Sequence, residues 1–330
     1  MKIAALGISH KTAPAEVREK VSVKSSRLPA LLEELAGEFE EAVLLSTCNR
    51  TEVYVSCLGQ DVKERLANVL LNGSHRNKEL RSRLYFYSGV EAAEHLFRVA
   101  SSLDSMVVGE TQILGQVKEA YQIALGQNAT GGHLNRLFQH SFRVAKRVRS
   151  ETGIGRGNYS VSSLACRLAE EKLGGLLDKQ VMIIGAGKTG EVTLQHLVKK
   201  GIKAIFVGNR TFAKAEEMTK RFGGSAIHFK DCLKRLGECD LVISQTSSPH
   251  YIIRAGNIPL ERKKPLVLVD LAIPRDIEPQ AAELEDVFLY NIDSLQEIVD
   301  KGLKTREREA RKAERIIEEE IEKYLSSICG

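Results

Sequence analysis

The residues best suited to covalent chemistry lie between two predicted strands near the amino terminus. The segment "LLSTCNRTEVYVS", residues 44–56, begins and ends in apolar or alternating runs typical of strands, and Cys48, Asn49 and Arg50 occupy the turn between them. A cysteine thiolate attacks activated acyl groups and forms a thioester, which a hydride can reduce to an aldehyde. Positive charge nearby lowers a thiol pKa, so we expect Arg50 either to activate Cys48 or to bind a substrate carboxylate.

A glycine turn supplies the second chemical motif. Gly185-Ala-Gly187-Lys-Thr-Gly190 matches GxGxxG, follows the apolar run "VMII" and opens a predicted helix, which is the context of a dinucleotide site. Such a helix directs its N-terminus at the pyrophosphate. The predicted cofactor-binding residues of this turn are Gly185, Ala186, Gly187, Lys188, Thr189 and Gly190.

The end of the following strand indicates which nicotinamide cofactor is used. An NAD site places Asp or Glu there to bind the ribose 2′-hydroxyl, whereas this chain has Asn209, Arg210 and Thr211. A guanidinium can pair with a 2′-phosphate through two hydrogen bonds. The sequence therefore predicts NADPH, with these three residues completing the cofactor site.

The two motifs require separate folding units, because 330 residues exceed one ordinary core. To about residue 90 the pattern is βαββαβ, the ferredoxin-like split unit, and helices follow to about 151. After the glycine-rich "ETGIGRGNYS", alternating strands and helices predict a doubly wound parallel sheet. A charged helix begins near 293, and its apolar stripe is formed by Ala310, Ala313, Ile317, Ile321, Tyr324 and Ile328.

The predicted fold is thus α/β and multidomain. It comprises an N-terminal ferredoxin-like α+β catalytic domain (1–150), a Rossmann-like NADPH domain (151–290) and a long C-terminal spinal helix (291–330).

The composition indicates whether a membrane span or a metal site is expected and in which cellular compartment the protein works. Apolar residues make up 43% and charged residues 28% of the chain, no run of 18 apolar residues occurs, and the first residues do not form a signal peptide. No membrane span is expected, and the net charge of +5 permits an anionic partner. No cysteine pair has zinc-ligand spacing, so we expect no metal site and a reducing, cytoplasmic setting. The cysteines predicted to be buried hydrophobes are Cys57, Cys166, Cys232, Cys239 and Cys329.

Six motifs together resemble the glutamyl-tRNA reductase family. They are "GISHKTAP", "STCNRTE", "HLFRVASSLDSMVVGETQILGQVK", "GIGRGNYSVSS", "GAGKTGE" and "VGNRT". The resemblance implies NADPH-dependent reduction of glutamyl-tRNA to glutamate 1-semialdehyde through a Cys48 thioester, with release of tRNA. This is the first step of the five-carbon route to tetrapyrroles, including haem.

The resemblance also implies partners. Glutamyl-tRNA is the substrate, and glutamate-1-semialdehyde 2,1-aminomutase, which consumes the product, is a candidate partner. A homodimer is the family's expected state, although the family's C-terminal dimerisation domain has no counterpart in the 330 residues.

Residue roles follow from the same resemblance. Cys48 matches the nucleophile, and His95 matches a histidine needed for activity, with proton transfer or thiol activation as its expected role. Thr47 and Asn49 complete the substrate-binding turn, in which Arg50 would bind the side-chain carboxylate of the glutamyl group. The second set of implied substrate contacts, which local pattern alone would assign to a helix N-terminus, is Ser105, Glu110, Thr111, Gln112 and Gln116.

A tRNA substrate needs a basic surface, and one stretch of the chain offers it. The segment "HSFRVAKRVRSETGIGR" predicts either a tRNA-binding surface or an ordinary solvated helix face. Its basic residues are Arg143, Lys146, Arg147, Arg149 and Arg156.

Two other functions fit parts of the sequence. A shikimate-type NADP-dependent alcohol dehydrogenase would share the nucleotide half but would use a lysine and an aspartate rather than Cys48. A non-catalytic NADPH-binding sensor would use the thiol for regulation.

Overall fold

The computed structural model describes residues 2–24, 26–57, 59, 61–71, 78–106, 108–110, 112–154, 161–202, 205–262, 264–295 and 307–329. The chain forms two compact units, Met1–Asn158 with Val299–Gly330, and Tyr159–Ile298. Two predicted site residues, Thr111 and Arg156, lie outside the described residues.

The first unit contains a four-stranded antiparallel sheet. Its strands are β1 (Ile3–Ser9), β2 (Glu41–Ser46), β3 (Arg50–Ser56) and β4 (Tyr85–Ser88). The order β2-β3-β1-β4 is that of the ferredoxin-like unit, which confirms the predicted fold. Because Ser46 pairs with Thr51 and Ser9 with Arg50, residues 47–49 form the turn at the end of this sheet.

Helices cover the sheet and bury its apolar side chains. Leu6, Tyr54, Phe97 and Phe138 are each fully buried in the resulting core. The helices are α1 (Ala15–Arg18), α2 (Leu28–Glu38), α3 (Val62–Leu71), α4 (Lys78–Ser82), α5 (Val90–Ala100), α6 (Gln112–Gly126) and α7 (Gly132–Glu151).

A carboxylate joins the sheet to the start of α7. Glu41, on β2, accepts backbone N–H groups from Gly131 at 2.9 Å, His133 at 2.9 Å and Leu134 at 2.7 Å. These donors belong to the first turn of the helix, which has no intrahelical partners for them, and the helix dipole favours a negative charge there. Glu41 thereby fixes α7 against the strand that leads to Cys48.

The second unit is a six-stranded parallel sheet. Its strands are β5 (Val181–Ile184), β6 (Ile205–Asn209), β7 (Ser225–His228), β8 (Leu241–Ser244), β9 (Leu266–Asp270) and β10 (Val287–Asn291). The order β7-β6-β5-β8-β9-β10 is the dinucleotide-binding order, with the change of direction between β5 and β8. Its helices include α8 (Val161–Leu173), α9 (Lys188–Lys199), α10 (Phe212–Phe222) and α11 (Phe229–Cys232).

The C-terminal helix, α12 (Glu307–Cys329), packs within the first unit against α5 and α7. Ala313, Ile317 and Tyr324 from the predicted apolar stripe are buried in the core of that unit. Within the described parts of the chain, no helix is long and apolar enough to cross a membrane.

Replacing Glu41 with alanine should lower the free energy of unfolding by about 3 kcal/mol, because three helix N–H groups lose a charged acceptor. Glu41→Gln, which keeps one acceptor oxygen, should cost less. Urea denaturation followed by circular dichroism measures both, and Glu40→Ala, at an exposed neighbouring position, is the control. Equal stability of Glu41→Ala and Glu40→Ala would contradict the capping role.

Candidate active site

Main-chain and side-chain hydrogen bonds fix the turn that carries Cys48. The backbone N–H of Thr47 donates to the Arg50 carbonyl at 2.8 Å. The Thr47 hydroxyl accepts the N–H groups of Asn49 at 3.1 Å and Arg50 at 3.2 Å. The buried Arg18 guanidinium donates to the Cys48 carbonyl at 2.6 Å. The nucleophile candidate therefore lies on a turn whose backbone is held at each residue.

The thiol is not activated by its cationic neighbours. Burial and the Glu110 carboxylate raise the pKa of Cys48 to about 12, and together they outweigh the opposing effects of Arg18 and Arg50. Arg50 lowers the pKa of Cys48 in the expected direction, but not enough to produce a thiolate at neutral pH. The physical reason is that loss of hydration, the largest effect, acts together with Glu110 in the opposite direction.

Arg50 is buried inside a network of acceptors. Its side chain is 1% exposed, Nη1 donates to Glu52 Oε1 at 2.6 Å, and Nη2 donates to the Asp104 carboxylate at 3.0 Å and to the Asp104 carbonyl. Its Nε has no hydrogen-bond partner among the described residues. Arg50 thus ties the Cys48 turn to the segment that follows α5, and its binding of a substrate carboxylate stays a prediction.

Glu52 is the centre of this network. It is fully buried and accepts hydrogen bonds from Tyr54 at 2.5 Å, from His95 Nε2 at 3.0 Å and from Tyr85, in addition to Arg50. Arg50 and His95 hold the pKa of Glu52 well below its usual range despite burial. His95 therefore joins the Cys48 turn through Glu52, while its role in proton transfer stays a prediction.

Sequence reasoning missed Glu52, although a signal was present. Arg50, Glu52 and Tyr54 alternate along β3 and so share one face of the strand. Charged residues at alternate positions of a strand that packs on both faces require partners inside the protein. Asp104 lies in the loop after α5, and no pattern in the sequence around it predicts its contact with Arg50.

The second predicted substrate segment places Glu110 beside the thiol. Gly109 has φ +87°, and a Cβ there would lie 1.8 Å from the Ile154 carbonyl oxygen, so only glycine fits. The Glu110 carbonyl accepts the Ser102 hydroxyl at 2.6 Å and lies 3.5 Å from Arg149 Nη2. These contacts hold the Glu110 backbone, and its side chain interacts electrostatically with Cys48.

The Glu110 carboxyl is tuned to titrate near neutrality. Its residue is 5% exposed, and burial raises its pKa to about 7, partly opposed by Arg50. A buried carboxyl with such a pKa can take up a proton from a neighbouring thiol and release it again.

The other predicted substrate contacts lie on the same segment. Ser105 is buried, and Gln112 and Gln116 lie one turn apart at the start of α6. The Gln112 side-chain nitrogen is buried without a hydrogen-bond partner among the described residues. Their contact with substrate stays a prediction.

The predicted basic surface is smaller in the structure. Arg147 forms ion pairs with carboxylates on α7 and α12, at Glu151, Glu319 and Glu320. Arg149 is half-buried beside Glu110. Both guanidiniums thus face protein groups that the sequence could not identify as neighbours, whereas Arg143 and Lys146 are exposed on α7.

In the second unit, a cavity of about 460 Å³ opens at the carboxyl ends of the central strands. The glycine turn and the end of β6 form one side of it, and the residues after β8 form the other. Its lining residues include Gly185, Ala186, Gly187, Asn209, Arg210, Thr211, Lys214, Gln245 and Thr246.

The three glycines of this turn meet the steric needs of a dinucleotide. Gly185 has φ +110°, and a Cβ there would lie 2.6 Å from the Gln245 carbonyl oxygen. A Cβ at Gly190 would lie 2.3 Å from the Gly185 carbonyl oxygen, whereas a Cβ at Gly187 would meet nothing within 4 Å. The outer glycines thus permit close backbone packing, and the space above Gly187 fits a pyrophosphate.

The polar end of the cavity suits a phosphorylated ribose. Asn209 accepts the Ala186 N–H at 3.1 Å and donates to the Thr211 carbonyl at 2.9 Å, which joins β6 to the glycine turn. Arg210 and Lys214 are exposed at this end. Sequence reasoning missed Lys214, which lies one helical turn beyond the NRT segment and lines the same cavity.

A buried aspartate holds the opposite wall of the cavity. Asp276 accepts the Ser244 hydroxyl at 2.7 Å, the Thr246 N–H at 2.7 Å and the Thr246 hydroxyl at 2.6 Å. The segment that lines the cavity after β8 is thereby fixed to the loop after β9.

A dinucleotide-binding sheet, in one chain with a ferredoxin-like unit that presents a cysteine turn, defines a class of nicotinamide-dependent oxidoreductases. Comparison with known proteins narrows the class. The family described as "Glutamyl-tRNAGlu reductase, N-terminal domain" matches residues 6–152, and the family "Shikimate / quinate 5-dehydrogenase" matches residues 167–298.

Relatives cover nearly the whole chain. Glutamyl-tRNA reductase of Syntrophus aciditrophicus is 46% identical over 97% of this chain and 78% of its own length, and that of Thermodesulfovibrio yellowstonii is 42% identical over 98% and 79%. The solved glutamyl-tRNA reductase of Methanopyrus kandleri is 35% identical, with a TM-score of 0.55 over 99% of this chain and 80% of that one. The chain belongs to the glutamyl-tRNA reductase family.

The raised pKa of Glu110 predicts how the free energy of unfolding depends on pH. Because its pKa rises from 4.5 to about 7 on folding, its stabilising effect is complete below pH 4.5 and is lost as pH rises through 7. The stability of Glu110→Gln relative to the natural protein should therefore increase across this window, by up to about 3 kcal/mol. Denaturation curves at several pH values test this, with the exposed Glu34→Gln as control. A difference that stays constant with pH would contradict the raised pKa.

Proposed function

We propose that this protein reduces the aminoacyl ester of glutamyl-tRNA to glutamate 1-semialdehyde with NADPH, through a thioester on Cys48. The observation that carries the proposal is the fixed turn that presents Cys48 beside Glu110, in a chain that also holds a dinucleotide-binding sheet. The shikimate-type alternative accounts only for the second unit and leaves the Cys48 turn without a purpose.

Acylation of Cys48 is the first step. The sulfur attacks the α-carbonyl carbon, the S–C bond forms, the C–O bond to the tRNA ribose breaks, and the thiol proton ends on the ribose oxygen. Because the pKa of Cys48 is about 12, a base must remove the proton as attack proceeds. Glu110, with a pKa of about 7, accepts that proton and returns it to the leaving oxygen.

Reduction of the thioester is the second step, for which NADPH, when bound, supplies the hydride. The C–S bond to Cys48 breaks, the thioester carbon becomes the aldehyde carbon of glutamate 1-semialdehyde, and the Cys48 sulfur takes a proton from water. The glycine turn would hold the pyrophosphate, and Arg210 and Lys214 would hold the 2′-phosphate. Asp276 keeps the opposite wall in place. Since acylation needs only groups of the first unit, it should proceed without the cofactor.

The tRNA itself requires further contacts. Arg143 and Lys146, both exposed on α7, are the proposed phosphate contacts of this helix. The aminomutase partner and the homodimer stay predictions.

Cys48→Ser should abolish acylation, because a hydroxyl supplies almost no oxyanion at neutral pH. Mixing the protein with glutamyl-tRNA labelled in the amino acid, without NADPH, should label the natural protein and release tRNA. Cys48→Ser should retain less than about a tenth of the labelling, with unchanged NADPH affinity, and Cys57→Ser is the matched control. Full labelling of Cys48→Ser would refute the nucleophile assignment. Labelling that begins only after NADPH is added would refute the order of steps.

Arg210→Ala and Lys214→Ala should each weaken NADPH binding by about 10- to 100-fold and leave NADH binding nearly unchanged, because only NADPH carries the 2′-phosphate. Fluorescence titration with both cofactors measures the preference. Lys199→Ala, at the exposed end of α9, is the control. Equal NADPH and NADH affinities in the natural protein would show that these residues do not recognise a phosphate.

A further inference from the structure

A histidine with no assigned role lies beside the Cys48 turn. His10 follows the last residue of β1, and its backbone N–H donates to the Asn49 carbonyl at 2.9 Å. Since Ser9 pairs with Arg50 in the sheet, this bond continues the ladder by one residue and places His10 opposite Asn49, next to the nucleophile.

The His10 ring presents a buried nitrogen with no protein partner. Nδ1 is inaccessible to solvent and has no hydrogen-bond partner among the described residues. Buried ring nitrogens are normally bonded, and an unpaired one costs about 1–3 kcal/mol. The residues on either side of His10 already have protein partners. The Ser9 backbone N–H donates to the Thr12 hydroxyl, and Lys11 forms an ion pair with Asp104 at 3.0 Å.

The charges around His10 determine the protonation state of its ring and the kind of substrate atom that the ring can bind. Burial and Arg50 lower the pKa of His10 to about 3, with Lys11 and Arg18 adding to the effect and Asp104 opposing it. The imidazole is therefore neutral at physiological pH. Arg50, although paired with Glu52 and Asp104, still lowers the pKa of His10 together with Lys11 and Arg18, so the potential at the ring favours a developing negative oxygen and disfavours an ammonium group. A neutral imidazole can polarise a carbonyl by hydrogen bonding.

We propose that the His10 Nδ1–H donates a hydrogen bond to the α-carbonyl oxygen of the glutamyl group as Cys48 attacks it, which makes His10 a further catalytic residue. This inference rests on the proposed role of Cys48. His10 transfers no proton: as the S–C bond forms, negative charge develops on the carbonyl oxygen and His10 stabilises it. When the ribose C–O bond breaks, the electron pair on the carbonyl oxygen re-forms the C=O bond, the C–O bonding pair leaves on the ribose oxygen, and that oxygen takes the thiol proton.

The test is single-turnover acylation with labelled glutamyl-tRNA in the absence of NADPH. His10→Leu should slow acylation by about 100-fold or more, with tRNA affinity nearly unchanged, because the lost bond strengthens only in the transition state. His10→Gln, which retains an uncharged N–H donor, should recover at least about a tenth of the natural rate. The ratio of natural to His10→Leu rates should stay constant between about pH 6 and 9, since a neutral imidazole does not titrate there. His133→Leu, at an exposed position on α7, is the control.

A deaminated substrate, glutaryl-tRNA, separates the carbonyl role from recognition of the α-ammonium group. The same fold-loss with both substrates supports the proposal, and a loss confined to glutamyl-tRNA overturns it. It is also overturned if His10→Leu acylates within about threefold of the natural rate, or if a folded His10→Gln is as slow as His10→Leu. Labelling that persists in Cys48→Ala would instead refute the proposed function, so the two failures are distinguishable.

Discussion

The buried ion pair between Arg50 and Glu52 is the interaction on which the first unit's site depends. Both side chains are almost completely excluded from solvent, and removing two charges from water costs several kcal/mol for each. The pair persists because each charge has further partners. Asp104 bonds Arg50 from the loop after α5, while the other groups that donate to Glu52 are Tyr54, Tyr85 and His95.

Burial dominates the electrostatics around Cys48. Arg18 and Arg50 lower the pKa of the thiol, but burial and Glu110 outweigh them and keep the thiol protonated at neutral pH. Burial also raises the pKa of Glu110, to about 7, and this value, lower than that of Cys48, suits the role of base that we propose for it. The neutral His10 adds the proposed hydrogen-bond donor.

In the second unit, the shape of the cofactor cavity depends on steric packing rather than on buried charge. Gly185 and Gly190 allow the β5 turn, α9 and the segment after β8 to approach within distances that any side chain would prevent. The close approach leaves the space above Gly187 open for a pyrophosphate. Among the described residues that line the cavity, the charged side chains are Arg210 and Lys214 at its polar end, where both are exposed and can adapt to a phosphate.

Local patterns in the sequence are sufficient to predict most secondary-structure elements and the positions of both motifs. Alternation and apolar runs identified β1 to β4 and four strands of the parallel sheet, β5, β6, β8 and β9, but not its edge strands β7 and β10. The GxGxxG context identified the cofactor turn. The spacing of Ala313, Ile317 and Tyr324 identified the face of α12 that packs in the core. These features are local, because side-chain periodicity follows directly from the geometry of helices and strands.

Which charges are available for chemistry depends on contacts that form on folding. The sequence shows Arg50 beside Cys48, but not that Glu52 and Asp104 pair with it, and it shows Arg147 in a basic run, but not its three carboxylate partners. Glu110 becomes a candidate base only because the fold buries it near the thiol. Charge pairing and loss of hydration depend on elements that are distant in sequence and meet only on folding, so no local pattern encodes them.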